Sequence, residues 1–274
     1  MNNDISIVTF FFDMGRGDWT PEKGFPHYLH RTVDTYFERF SYMAQLDNEM
    51  IIYTHPDFVE RVADLRKGKE DKTKIIPFDY MAQFHGEKKK IYNIQRSTEF
   101  QRKIHPSQQI NPEYWNSNYV HLMYMKSFFV KMALDANWIT NEYVAMIDFG
   151  YCRTQDKIPP SKKWTYNFGE DKFQLFGYRE YPKQQPIEEV IFNNMVYILG
   201  AKQVGHRNLW PEVNRLIVES MEELQAKNLI DDDQTLWLMA SLKKPEMFNL
   251  NIIPDHQLGH DSFVLFNNYN DTVK

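Results

Sequence analysis

The sequence predicts an α/β chain, with a mostly parallel central sheet flanked by helices and a mixed second half. Three observations carry that expectation. Ile5-Ser6-Ile7-Val8-Thr9-Phe10-Phe11-Phe12 is a short, nearly continuous apolar run rich in β-branched and aromatic residues. That is the pattern of a strand buried on both faces. It opens into a polar, glycine-containing loop, Asp13-Met14-Gly15-Arg16-Gly17-Asp18, and ligands of open α/β sheets sit beyond such strand ends. Helical and strand patterns then alternate, and a β-α-β-α-β order calls for parallel strands joined by right-handed crossovers.

Each element has its own signature. Leu29, Val33, Tyr36, Phe37, Phe40, Met43 and Ala44 recur every three or four residues and predict a helix. Residues 50–54 predict a second strand, 56–65 a helix and 74–78 a shorter third strand. A polar helix is expected over 87–100, and Pro106 and Pro112 then break the chain. Val120, Tyr124, Phe128, Val130, Met132 and Leu134 give 117–136 an apolar helical face, with Ser117 or Asn118 as its cap. Residues 143–148 predict a buried strand that ends in an acid. Residues 164–168 and 173–178, around Gly169-Glu170-Asp171-Lys172, predict a hairpin. A further strand is expected over 195–200, and an amphipathic helix over 211–227 with Pro211 in its first turn. Asp231-Asp232-Asp233 caps a helix running to Leu242, and 248–253 and 263–266 are expected as closing strands. No repeat, low-complexity tract or linker interrupts the chain, so one domain over 1–274 is expected.

Composition removes several function classes. The formal net charge is -5 and the pI about 6.0, so no general basic field exists to attract nucleic acid. The run Lys88-Lys89-Lys90 reads as a solvated helix face. Cys152 is the one cysteine, which rules out an internal disulfide and fits a reducing compartment. The start lacks the positive region of a signal peptide, and the run 5–12 is too short to cross a bilayer. A cytoplasmic location is therefore expected. There is no Gly-x-Gly-x-x-Gly, P-loop, Gly-x-Ser-x-Gly or Cys-x-x-Cys, which weakens dehydrogenase, NTPase, serine hydrolase and zinc-module readings.

The residues left to carry chemistry are mostly acids. Val144-Ala145-Met146-Ile147-Asp148-Phe149-Gly150 is an apolar strand that delivers a carboxylate to the ligand edge of the sheet. There Asp148 suits a divalent metal, Mn²⁺ or Mg²⁺, that would neutralise a diphosphate leaving group. Glycosyltransferases usually carry Asp-x-Asp at such a site; here the third position is Gly150. His256 and His260 lie four apart beside Asp255 and Asp261, and His260 is a candidate second metal ligand. Asp232 and Asp233 are candidates for the general base that deprotonates an acceptor hydroxyl, against a plain capping role. Thr9, Phe11, Asp13 and Arg16 at the end of the first strand are placed to hold a nucleobase and ribose, and Lys126 to reach a phosphate. The 15% of aromatic residues fits sugar-stacking surfaces as well as core.

Ile7 to Trp19 with its Gly-Arg-Gly-Asp-Trp string, Trp115-Asn116-Ser117, and Ile147-Asp148-Phe149-Gly150-Tyr151-Cys152-Arg153 together resemble the bacterial HtrL/YibB-like proteins over most of the chain. That resemblance implies a GT-A-like, Rossmann-type fold and a glycosyltransferase of lipopolysaccharide or capsule synthesis. It implies a UDP-sugar donor, a glycan or glycolipid acceptor, and Asp13, Arg16 and Asp148 as site residues. Residues 1–155 would form the nucleotide-sugar half and 156–274 the acceptor half. An enzyme of this kind can also work from the cytosol in peripheral contact with the inner membrane. Two rival readings use the same fold: a binding protein for nucleotide-sugars or glycans without catalysis, and a nucleotidyltransferase, which lacks a Gly-rich phosphate loop here.

Overall fold

The structure is a computed structural model that describes residues 4–182, 184–253 and 261–268. Its strands are β1 (Ile5–Phe11), β2 (Met50–Thr54), β3 (Thr73–Pro77), β4 (Tyr143–Ile147), β5 (Phe173–Gly177), β6 (Lys202–His206) and β7 (Phe248–Ile252). They form one seven-stranded sheet in the order β3-β2-β1-β4-β6-β5-β7. β1 pairs in parallel with β2 and β4, and β2 with β3. β6 runs antiparallel to β4 and β5, while β5 and β7 are parallel. The first half is thus a parallel, Rossmann-type sheet and the second half is mixed.

The helices are α1 (Val33–Met43), α2 (Val59–Leu65), α3 (His85–Gln95), α4 (Thr98–Lys103), α5 (Ser117–Tyr124), α6 (Lys126–Asp135), α7 (Ile187–Phe192), α8 (Trp210–Ala226), α9 (Asp233–Lys243) and α10 (Ser262–Leu265). Side chains of a strand alternate between faces, and both faces are buried. Val8, Phe10, Ile51, Tyr53, Val144 and Met146 enter one core with residues of α3, α5, α6, α8 and α9. Ile5, Ile7, Phe11, Met50, Ile52, Ala145 and Ile147 enter the other with α1 and α2. No helix among the described residues is long and apolar enough to cross a membrane.

Several local expectations change. The helix expected over 117–136 is two helices, α5 and α6, divided at Met125 (ψ -7°), and its cap is Asn116, whose side chain accepts from the Tyr119 amide. The helix expected over 87–100 divides before Ser97, which caps α4 through the Phe100 amide. Residues 164–168 do not pair with β5; Thr165 instead bridges to Asp4. The strand expected over 195–200 is a loop, and the strand lies just after it, at β6. That loop spends its backbone on other partners: the Leu199 amide donates to Phe176, and the Gly200 carbonyl accepts from Lys126. Residues 263–266, expected as a strand, fall largely within α10.

One buried guanidinium fastens the outer layer to the sheet. Arg66, 1% exposed, donates to the carbonyls of Ala44 (2.9 Å), Leu46 (2.6 Å) and Asn48 (3.0 Å) and to Thr73 Oγ1 (2.8 Å). It thereby joins the α1–β2 turn, the end of α2 and the start of β3. Arg66→Met leaves those acceptors buried without a donor. A loss of on the order of 3 kcal/mol in stability, read as a drop of roughly 10 °C in melting temperature, is the expected outcome of thermal unfolding.

Candidate functional site

β1 leads leftward in the sheet to β2, and β4 lies on its other side, so the chain order reverses between β1 and β4. Such a reversal opens a crevice at the carboxyl ends of the strands. A cleft of about 390 Å³ occupies it, within the size range of small-molecule sites. Phe11, Arg16, Lys126, Asp148, Gly150, Asp232 and Asp233 all line this cleft. Of the other residues expected there, Thr9 is buried inside β1 and its hydroxyl has no hydrogen-bond partner. Asp13 is exposed and accepts from the Gly15 amide at 2.8 Å, closing the turn after β1. Neither Thr9 nor Asp13 lines the cleft. His260, with His256, lies outside the described residues.

Lys126 is the centre of the site. It is the first residue of α6 and its side chain is 2% exposed. A cation at a helix N-terminus opposes the helix dipole, so it needs strong partners. Nζ lies 2.8 Å from Asp148 Oδ1, 2.9 Å from Asp233 Oδ2 and 2.8 Å from the Gly200 carbonyl. Burial alone lowers the proton affinity of this ammonium, but the two carboxylates together outweigh it and hold Lys126 above the ordinary lysine range. Asp233, in the first turn of α9, sits where that helix dipole favours an anion. It also accepts from Trp237 Nε1 at 3.2 Å. Gly200 makes this contact feasible: a Cβ there would lie 2.5 Å from Asp233 Oδ2. Water reaches Asp148, 39% exposed, but hardly Asp233 at 5%.

An acidic wall continues from Asp233. Asp231, Asp232 and Glu113 are all buried. Asp231 accepts from Thr235 Oγ1 at 2.6 Å, and Asp232 caps α9 by accepting from the Gln234 amide at 2.9 Å. Glu113 Oε2 has no hydrogen-bond partner. Burial raises Asp231 to about 8 and Glu113 to about 7. Asp232 is pushed well up by burial and then by Asp233 and Asp231. The cluster therefore holds shared protons at neutral pH.

The cleft also carries cations. Arg31 and Arg153 line the cleft, and Arg39 Cδ would stand 3.7 Å from a Cβ on Gly150. Burial lowers the proton affinity of Arg39, and Arg31 and Arg153 lower it further; Arg153 is depressed by burial and then by Arg31. Arg16 is a fastener of the cleft: Nε donates to the Leu29 carbonyl at 3.1 Å and Nη1 to Tyr36 Oη at 3.1 Å. Sequence reasoning missed Arg31, Arg39, Arg153 and Glu113. Arg153 had a signal, since it ends the Asp148–Arg153 string; Glu113, between Pro112 and Tyr114, had none.

Among the described residues, the donors around Asp148 do not fit a divalent cation. Such ions need several free oxygen ligands. Asp148 Oδ1 and Asp233 Oδ2 are both committed to Lys126. Gly150 supplies no oxygen from a side chain, and a Cβ there would crowd the Tyr36 ring at 3.0 Å. No group of three His, Cys, Asp or Glu among the described residues is arranged to hold a metal.

Comparison with known proteins places the chain in a family. Residues 3–268 match the family described as "Bacterial protein of unknown function (HtrL_YibB)". Protein HtrL of Escherichia coli (strain K12) is 38% identical over 256 residues, covering 92% of this chain and 89% of that protein. The chain belongs to the HtrL_YibB family. A solved structure, mouse xyloside xylosyltransferase 1 in its apo form, is similar with a TM-score of 0.41 and 11% identity, over 96% of this chain and 93% of that one.

Two outcomes test the charge layout. Lys126→Met leaves Asp148 and Asp233 without their cation and is expected to lower stability by about 3–5 kcal/mol; adding Asp233→Asn should recover part of that loss in urea unfolding. The acidic wall also predicts a pH dependence. The unfolded chain releases carboxyl protons near pH 4, whereas Glu113 and Asp231 hold theirs to about 7 and about 8. The folded state binds more protons between these limits, so stability falls as pH rises from about 4 to about 8. Melting temperatures across that range should decline less steeply in Asp231→Asn.

Proposed function

We propose, from the charge layout of the cleft in this HtrL_YibB member, that the chain is a glycosyltransferase that moves a sugar from a nucleotide-sugar to a glycan. The observation that carries the reading is one cleft with a cationic rim and an acidic wall, set at the chain reversal of an α/β sheet. A nucleotide-sugar presents a diphosphate that suits the rim formed by Arg31 and Arg153. The acceptor presents a hydroxyl that must lose a proton as the sugar arrives, and the wall of Asp232 and Glu113 suits that task.

The residues divide the work by their fixed partners. Lys126 fixes the Asp148 and Asp233 carboxylates at the edge of the cleft. Because Asp233 is tied to Lys126 and Trp237, it serves as a positioning residue. Asp232 and Glu113, which face the same cleft, take the hydroxyl proton as a coupled pair. Phe11, Tyr36 and Phe149, which pack on one another beside the cleft, supply flat apolar surface for a base or sugar ring. UDP-sugar is the donor and a bacterial lipopolysaccharide or surface polysaccharide the acceptor in this reading, both carried by the family resemblance. The enzyme would meet a glycolipid acceptor at the cytosolic face of the inner membrane by peripheral contact.

The test is release of nucleoside diphosphate from a panel of nucleotide-sugars, with and without bacterial glycan acceptors. Turnover with one donor is expected, with Asp232→Asn lowering kcat by about 10²–10⁴-fold. The rate should rise with pH through about 7 as the acidic wall loses its proton. Nucleotide binding without sugar release from any donor would instead leave a binding protein.

A further inference from the structure

The metal expected at Asp148 and the cations found around it point in different directions. An ammonium, Lys126, already occupies the space between the two carboxylates that open the cleft, at 2.8 and 2.9 Å. A dication there would have to displace it or stand beside it, and like charges at such range repel strongly in a buried site. Arg31 and Arg153 of the cleft, and Arg39 beside them, make no ion pair with any described carboxylate. Three neighbouring guanidinium groups repel one another, a standing cost in the unliganded protein that an anion relieves. Gly150 also lines the cleft, and a Cβ there would stand 3.0 Å from the Tyr36 ring and 3.7 Å from Arg39 Cδ.

We infer that this cleft receives the diphosphate of its nucleotide ligand on Arg31 and Arg153, with no divalent metal bridging it to Asp148. The inference rests on the nucleotide-sugar reading and deepens it. Guanidinium forks match phosphate oxygens in pairs and give direction to the contact. Asp148, rather than ligating a metal, orients Lys126. The ligand class is thus a nucleoside diphosphate or its sugar conjugate, bound through charge-assisted hydrogen bonds and sensitive to salt.

Titration calorimetry on the full chain tests this, with UDP and with inorganic pyrophosphate as probes, each in EDTA and in Mn²⁺. Equal affinity in EDTA and Mn²⁺ is expected for both probes. Arg31→Ala and Arg153→Ala should each weaken binding by about tenfold or more, and Arg153→Lys by less than Arg153→Ala. An unchanged melting temperature without ligand certifies that the variants are folded. Binding that appears only with Mn²⁺ overturns the inference and leaves the glycosyltransferase reading in place. Binding in EDTA that ignores both arginine substitutions overturns it, as does no binding of either probe. Pyrophosphate bound in EDTA with no binding of UDP supports the arginine site and removes the nucleotide-sugar reading.

Discussion

The burial of one ammonium group governs this molecule. A lysine side chain with 2% exposure is tolerable only if its charge is matched in place. Asp148, Asp233 and the Gly200 carbonyl supply that match from three different parts of the chain. The end of β4, the first turn of α9 and the loop before β6 must therefore converge on the N-terminus of α6. The divided helix at Met125 follows from the same demand, since it frees α6 to start where its first residue reaches the sheet edge. Gly200 follows too, because any side chain there would occupy the position of the Asp233 carboxylate.

Around this anchor the cleft separates charge by sign. Arginines stand on the loop before α1, on α1 itself and after β4, while carboxyls gather at the N-terminus of α9 and near Glu113. Burial makes each set costly by itself: it raises the acids and depresses the arginines. Folded proteins keep such arrangements where a ligand or a reaction uses them. A diphosphate for one wall and an acceptor hydroxyl for the other is the pairing that suits both.

The fold was largely legible because it depends on local patterns. β1, β2, β3 and β4 lie within one residue of their expected bounds, since each is a short apolar run with clear ends. Errors cluster where tertiary partners overrule local preference. Residues 195–200 look like a strand, yet their backbone groups serve Phe176 and Lys126 instead of a ladder. Residues 164–168 have strand composition but find Asp4 rather than β5. The site was legible in part: strand-end logic located Asp148, and capping logic located Asp232. Lys126 was expected to reach a phosphate, and its burial between two carboxylates was not legible, because those partners lie far away in the chain.

The sequence by itself determined the α/β class, the parallel first half and the arrival of an acid at the ligand edge, because periodicity and strand ends are local properties. Only the tertiary structure decided what that acid does. Asp148, Lys126 and Asp233 are separated by up to 107 positions, from Lys126 to Asp233, and no spacing rule connects them. The same holds for Arg31, Arg39 and Arg153, which meet only because α1 packs against the segment after β4. Charge pairing acts through space, so the chain's path sets the partners, and the partners set whether a carboxylate holds a metal, a proton or an ammonium.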